Sequence, residues 1–252
     1  MTSKKTYFIS DLHLGAPALN NNAEREKLFV NWLDEKGEDA ESIFLLGDIF
    51  DFWYEYKKVV PRGFVRTLGK IAELTDKGVH VHYFTGNHDI WVNDYFPVEL
   101  GIIIHREPMV LEIGNKTFFL GHGDGLDPKE KGYLFLKRMF TSKTAQFMFS
   151  QLHPNIALWF GHQWAKKSRI SKGTEPEICN DPDNEPAVKF AREYIKNEHI
   201  DYFLFGHRHI LTEKKIEQNS TVFFLGEWFN FFSYAVFDGN NVELRKYNNK
   251  EK

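Results

Sequence analysis

The chain has 252 residues, enough for one large domain, or one carrying an insertion, whose core needs no disulfide or structural metal. Apolar residues make up 42% and charged residues 27%, ordinary for a globular protein, and 24 phenylalanines predict an unusually aromatic core. A net charge of −3 argues against wholesale nucleic-acid binding. The single cysteine, Cys179, excludes an intrachain disulfide and a thiolate metal site and favours a reducing compartment.

Met1-Thr-Ser-Lys-Lys runs straight into Tyr7-Phe8-Ile9 with no apolar leader, and no run of about 18 uncharged apolar residues occurs anywhere. The expectation is a cytoplasmic protein without a membrane span. Residues 7–10 read as a strand, and 23–36 as a helix with Leu28, Phe29, Trp32 and Leu33 on one face. Residues 43–46 read as a buried strand closing at Gly47, followed by a helix over 64–76 that stops before Gly78. The next strand, 79–84, places Val79, Val81 and Tyr83 on one face and His80, His82 and Phe84 on the other. Later strands are expected at 109–113, 117–120, 202–205, 222–225, 234–237 and 242–246. The βαβα opening predicts a partly parallel sheet, and the strand-rich end predicts antiparallel additions.

Residues 129–172 stand apart. Lys129, Lys131, Lys137, Arg138, Lys143, Lys166, Lys167, Arg169 and Lys172 meet one acid, Glu130, so the stretch carries +8 and the remainder −11. Tyr133, Phe135, Phe140, Phe147, Phe149, Trp159, Phe160 and Trp164 recur there at mostly helical spacing. This pattern predicts a helical cap, 129–172, inserted between core segments 1–128 and 173–252, with a polar return loop at 175–185. An apolar stripe alone usually means packing, and a basic helix face usually means solvation. Both together, almost without acid, point to an acyl-binding or interfacial helix pair.

Five short motifs close predicted strands: Asp11-Leu-His13, Gly47-Asp48, Gly86-Asn87-His88-Asp89, Gly121-His122-Gly123-Asp124 and Gly206-His207-Arg208-His209. In extended backbone, residues two apart face the same way, so Asp11 with His13, and His207 with His209, are expected to converge. Carboxylate, imidazole and amide oxygen suit Mn²⁺, Fe²⁺ or Zn²⁺, and two such ions about 3.5–4 Å apart can clamp an in-line phosphoryl displacement. A lone Asp-x-His commonly caps a turn, and a lone Gly-Asn-His-Asp can be a tight turn. Five together, each with glycine nearby, favour chemistry. His80, His82, His105, His153, His162 and His199 lack this context and read as ordinary surface or core residues.

The ordered set resembles the calcineurin-like metallophosphoesterase superfamily over nearly the whole chain outside the cap. The resemblance implies an α/β fold, a four-layer αββα sandwich with the ligands on loops at one edge. It implies that Asp11, His13, Asp48 and His209 hold one divalent ion, while Asp48 bridges to a second completed by Asn87, His122 and His207. Manganese is the expected metal, with zinc or iron as alternatives. All seven ligands are present, which argues against a non-catalytic scaffold.

Within that superfamily, Ile9-Ser-Asp-Leu-His-Leu-Gly15, Leu46-Gly-Asp-Ile-Phe-Asp-Phe-Trp53 and Leu225-Gly-Glu-Trp228 resemble the UDP-2,3-diacylglucosamine diphosphatase family of lipid A synthesis, as does the position of the cap. That resemblance implies hydrolysis of a nucleotide-sugar lipid to UMP and a diacylated sugar 1-phosphate. Substrate contacts are expected from Asn87, His88, His207, Ser168 and Lys172, with Asn87 and His88 stabilising the charge that grows on the phosphoryl oxygens. The basic, aromatic cap predicts a peripheral position on the inner membrane, and its confinement within an acidic remainder predicts no nucleic-acid partner; no obligate protein partner is expected. His88 stands where that family usually has arginine. Histidine can donate a proton as well as charge, which leaves room for another small phosphomonoester or phosphodiester as substrate.

Overall fold

The first strand explains the layering. β1 (Lys5–Ile9) sends Tyr7 and Ile9 to one buried face and Phe8 to the other, so this strand must be covered on both sides. The computed structural model describes residues 4–127, 129, 131–172 and 179–247, with side chains described except in 166–172. α1 (Asn22–Gly37) returns the chain to β2 (Ala40–Leu45), and α2 (Val65–Asp76) leads to β3 (His80–Phe84). α3 (Tyr95–Leu100) and β4 (Ile103–His105) follow, with β1 to β4 all parallel. β5 (Met109–Ile113) and β6 (Lys116–Leu120) then open a second sheet.

The cap region holds α4 (Lys131–Thr141), α5 (Lys143–Ser150) and α6 (Pro154–Lys172). α7 (Pro186–Tyr194), β7 (Tyr202–Phe205), β8 (Leu211–Lys215) and β9 (Thr221–Leu225) bring the chain back, and β10 (Ser233–Phe237) and β11 (Val242–Lys246) end it. The first sheet has the order β11-β10-β1-β2-β3-β4 and the second β5-β6-β7-β9-β8. The antiparallel additions, β10 and β11 in one sheet and β5 and β8 in the other, lie outside the parallel strands, as expected.

Phe8, Phe44, Leu46, Phe84, Phe118, Leu120 and Phe223 fill the space between the sheets, where Phe8 stacks on Phe44 and Phe118 at 5.2 and 5.7 Å between centroids. Phe29, Trp32, Leu68, Ile71 and Phe96 of α1–α3 cover the outer face of the first sheet, against Tyr7, Val81 and Tyr83. Ala187, Val188 and Ala191 of α7 cover the second against Phe203 and Phe205. Helices, two sheets and a helix make the four layers. Sequence periodicity foretold neither α3, β4, α7 nor β8. β4 is three residues long, and β8 is an edge strand with the polar sequence Leu-Thr-Glu-Lys-Lys.

The cap-region helices are tied to the core by specific bonds. Lys137 Nζ lies 2.7 Å from Asp124 Oδ2, which also accepts from Tyr133 Oη. Trp91 Nε1 donates to the Phe140 carbonyl (2.8 Å), and Tyr54 Oη donates to that of Gln146 (3.0 Å). A Cβ at Gly161 of α6 would collide with the Phe52 ring, so helix and core approach closely there.

Candidate metal centre

Each of the five motifs follows the C-terminal end of a parallel strand: β1, β2 and β3 in the first sheet, β6 and β7 in the second. In open parallel sheets, that edge is where loops from several strands meet. The loops are cross-braced by main chain: Asp11 N donates to Gly47 O (3.1 Å), His13 N to Asp48 O (2.9 Å) and Gly206 N to His122 O (2.9 Å).

Among the described residues the ligand-type side chains converge in three groups, one of which (His13, Asp51 and His88) shares His13 with another; the remaining two hold the expected ligands. Asp11, His13 and His209 form one of these two and Asp48, His122 and His207 the other, with the potential ligand atoms of each within 4.8 Å of one another. Asp48 lies between them, its Oδ2 being 3.3 Å from His122 Nε2 and 3.7 Å from His13 Nε2. His209 Nε2 sits 3.1 Å from Asp11 Oδ1 and 3.2 Å from His13 Nε2.

The expected cause of this convergence needs correction. Asp11, His13, Asp48, His207 and His209 are not extended but left-handed, with φ between +45° and +64°. Such backbone costs on the order of 1 kcal/mol or more per non-glycine residue and collects at functional sites. Asp11 and His13 still meet in one group, whereas His207 and His209 divide between two. Glycines make the crowding possible, since a Cβ at Gly86 would collide with the Asp48 carboxylate and one at Gly206 with Ser10 and Asp11.

The donor atoms fit a cation. His122 Nδ1 lies 2.8 Å from the Leu46 carbonyl, which can only accept, so Nδ1 carries a hydrogen and Nε2 faces Asp48. Two lone-pair atoms 3.3 Å apart repel unless a proton or metal ion lies between them. Burial works against a charged imidazole, yet the Asp48 charge pushes His122 up to about 10. Burial likewise opposes ionisation of Asp11, but hydrogen bonds with His13 and His209 hold its carboxyl well below the ordinary range. For Asp48 the burial effect is outweighed by the charges of His122, His88 and His13, which keep it far below that range. Asn87 Oδ1 and His122 Nε2 are buried without a hydrogen-bond partner among the described residues. Two buried carboxylates ringed by imidazoles, with donor atoms left over, are what divalent ions would satisfy.

His88 lies beside this set. Its backbone N donates to Asp48 Oδ1 (2.8 Å), and its Nδ1 is 2.8 Å from the Asp51 carbonyl, so Nδ1 carries a hydrogen and Nε2 is left to a ligand. The side chains of Ser168 and Lys172 lie outside the described residues.

Several supporting residues escaped the sequence reading. Asp51 Oδ1 is 3.4 Å from His13 Nδ1 and 3.9 Å from His88 Nδ1. Its place in Gly47-Asp-Ile-Phe-Asp51 was the available signal. Phe229 packs edge-on against His209 at 5.5 Å, and Arg25 of α1 reaches the carbonyl of Leu12 (2.7 Å) to brace the first loop. Asp89 accepts from Gly86 N (2.7 Å) and Ile49 N (2.8 Å), bracing its own turn and the loop after β2. Glu227 accepts from the backbone of Phe229, Asn230 (2.8 Å) and Phe231 (3.0 Å), while Trp228 N donates to Asp11 O (3.2 Å). The Leu225-Gly-Glu-Trp228 segment thus supports the first ligand loop from behind.

A cavity of about 140 Å³ runs from Asp51, Asn87 and His88 to Phe140, Phe149, Phe160 and Trp164 of the cap region. It joins the polar centre to an aromatic wall.

Comparison with known proteins agrees with this geometry. The calcineurin-like phosphoesterase family profile matches residues 4–211. A protein of Porphyromonas gingivalis named UDP-2,3-diacylglucosamine hydrolase is 36% identical over 259 positions, covering 98% of this chain and 99% of that one. Proteins of the same name from Histophilus somni and Actinobacillus succinogenes are 26% and 27% identical; the alignments cover 89% and 96% of this chain and 92% and 99% of theirs. The motifs, the two convergent ligand groups and these matches lead to one conclusion: the chain belongs to the calcineurin-like phosphoesterase family.

Proposed function

We propose that this metal-dependent hydrolase cleaves the pyrophosphate of UDP-2,3-diacylglucosamine, yielding UMP and the diacylated sugar 1-phosphate. The observation that carries this reading is the cavity joining Asn87 and His88 to the cap aromatics, which gives an acyl-bearing substrate an apolar wall next to the reacting group. The names of the full-length relatives support the same substrate.

In this reading, Asp11, His13, Asp48 and His209 hold one ion, and Asp48, Asn87, His122 and His207 the other, with manganese as the metal. When bound, two divalent ions supply charge to the phosphoryl oxygens and lower the pKa of a water. Attack by water forms a new P–O bond as one P–O bond of the anhydride bridge breaks, and the bridging oxygen leaves with the departing phosphate. Asn87 and His88, on the cavity wall, stabilise the growing charge, with His88 acting through Nε2. His207, Ser168 and Lys172 complete the substrate contacts. The carbonyl of Asp51 fixes the His88 ring.

The cap is the segment 129–172, inserted between 1–128 and 173–252. Phe135, Phe147, Met148 and Trp159 are 69%, 67%, 68% and 57% exposed there. Together with the excess of lysine and arginine, they support peripheral attachment to an anionic membrane face. No helix among the described residues is long and apolar enough to cross a membrane. The test is to incubate the purified protein and Mn²⁺ with UDP-2,3-diacylglucosamine beside a panel of simple phosphomonoesters and phosphodiesters. Release of UMP at a kcat/KM well above that for every simple ester is expected. Preference for a simple ester would replace this reading with a general phosphoesterase.

A further inference from the structure

A second cavity, of about 370 Å³, lies on the other side of the 86–90 loop from the aromatic one. Ile90 lines both, so this loop is the ridge between them. Gly86 and His122 form the inner wall of the second cavity, which places it against the metal-ligand loops. Its remaining walls differ in chemistry from the first. Arg106, Lys137 and Lys143 bring three positive charges, opposed by Glu107 and Asp124. Asp124 is committed to Lys137 at 2.7 Å. Arg106 and Lys143 are exposed and make no ion pair among the described residues.

Two amides complete the surface. Gln146 Nε2 donates to the Phe140 carbonyl (3.0 Å) and Asn93 Nδ2 to the Trp91 carbonyl (3.3 Å). A carbonyl only accepts, so the amino group of each must face it, and each retains an amide oxygen as an acceptor. Free cations for an anion and amide acceptors for an imide N–H are the complement of a uracil nucleotide.

We propose that this second cavity receives the nucleoside monophosphate half of the substrate, with Arg106 and Lys143 as its anion contacts and Asn93 and Gln146 reading the base. The inference rests on the nucleotide-sugar reading above. The bond to be cleaved then lies over the 86–90 ridge, with the acyl chains on the aromatic side and the nucleotide on the basic side. A substrate placed this way releases its two products in opposite directions.

The test is UMP binding to the Mn²⁺-loaded protein by titration calorimetry at low salt, in the parent and in an Arg106→Ala/Lys143→Ala double variant. Both positions are exposed, so the variant is expected to keep the parent melting curve. UMP affinity should fall by roughly tenfold or more, since two charge-assisted contacts are lost. Inhibition by diacylglucosamine 1-phosphate should be unchanged. Unchanged UMP affinity in the double variant overturns the assignment, whatever the activity. If the parent fails to hydrolyse UDP-2,3-diacylglucosamine but the variant still loses UMP binding, the substrate reading falls and the nucleotide cavity stands.

Discussion

Replacing Gly86 by alanine adds one methyl group at a crowded point of the centre, against Asp48. The new Cβ would stand 2.5 Å from the backbone N of Asp48, where ordinary contact begins at 3.4 Å, and would also overlap the Asp48 carboxylate. One of the two loops must therefore give by about 0.9 Å. Asp48 is the carboxylate between the two ligand groups, and its Oδ1 accepts from His88 N, so any shift reaches both groups and His88. A displacement near 1 Å costs about 10²-fold in rate, and overpacking of this kind costs about 1–3 kcal/mol of stability. For a chain of this length, that lowers Tm by roughly 2–12 °C. Gly69→Ala is the control: it makes the same chemical change in α2, where a Cβ meets nothing within 4 Å. Helix propensity alone should raise stability there by about 0.5–1 kcal/mol, with turnover unchanged. Steady-state hydrolysis, thermal melts and metal analysis of both variants decide the matter. A Gly86→Ala protein with kcat within threefold of the parent and full metal content would refute the crowding argument.

Further outcomes follow from the same geometry. Asp48→Ala should remove turnover and at least one ion per chain while leaving a folded protein; full activity by assay would sink the two-ion arrangement. His88→Ala should stay metal-loaded but slow, with a larger loss on esters that have poor leaving groups than on pyrophosphates; equal losses would leave His88 only an electrostatic role. Chelation should abolish hydrolysis and lower Tm, because each ion present at a hundred times its Kd contributes about 2.7 kcal/mol; an unchanged melt would show that the carboxylates need no cation. Replacing Phe135 and Trp159 by serine should weaken binding to anionic vesicles and slow turnover of the diacylated substrate, with a short soluble phosphodiester unaffected. Equal effects on both substrates would make these rings packing residues.

Much of the chemistry was legible before folding was considered. Aspartate, asparagine and histidine after apolar runs, each beside glycine, announce metal ligands because little else demands that mixture at strand ends. Period-two alternation in 79–84 put Val81 and Tyr83 on one face and Phe84 on the other; the structure turns the first toward the helices and the second between the sheets. Strands buried on both faces carry strong local signals. β8 does not, since an edge strand can be polar, and β4 is too short to carry a period.

Tertiary structure decided how the motifs divide. His207 and His209 fall in different groups while Asp11 and His13, with the same spacing and the same left-handed backbone, share one, so no spacing rule encodes the division. The role of Asp51 depends on His13 and His88, which are distant in sequence and meet it only when β1, β2 and β3 lie side by side. The two cavities are lined by residues of α4–α6 together with the 86–90 loop. By itself the sequence determined which atoms could bind metal, because ligand chemistry belongs to side chains. Which of those atoms share an ion's place, and which surfaces meet a substrate, depend on distances between segments far apart in the chain, and only the packed sheets set those distances.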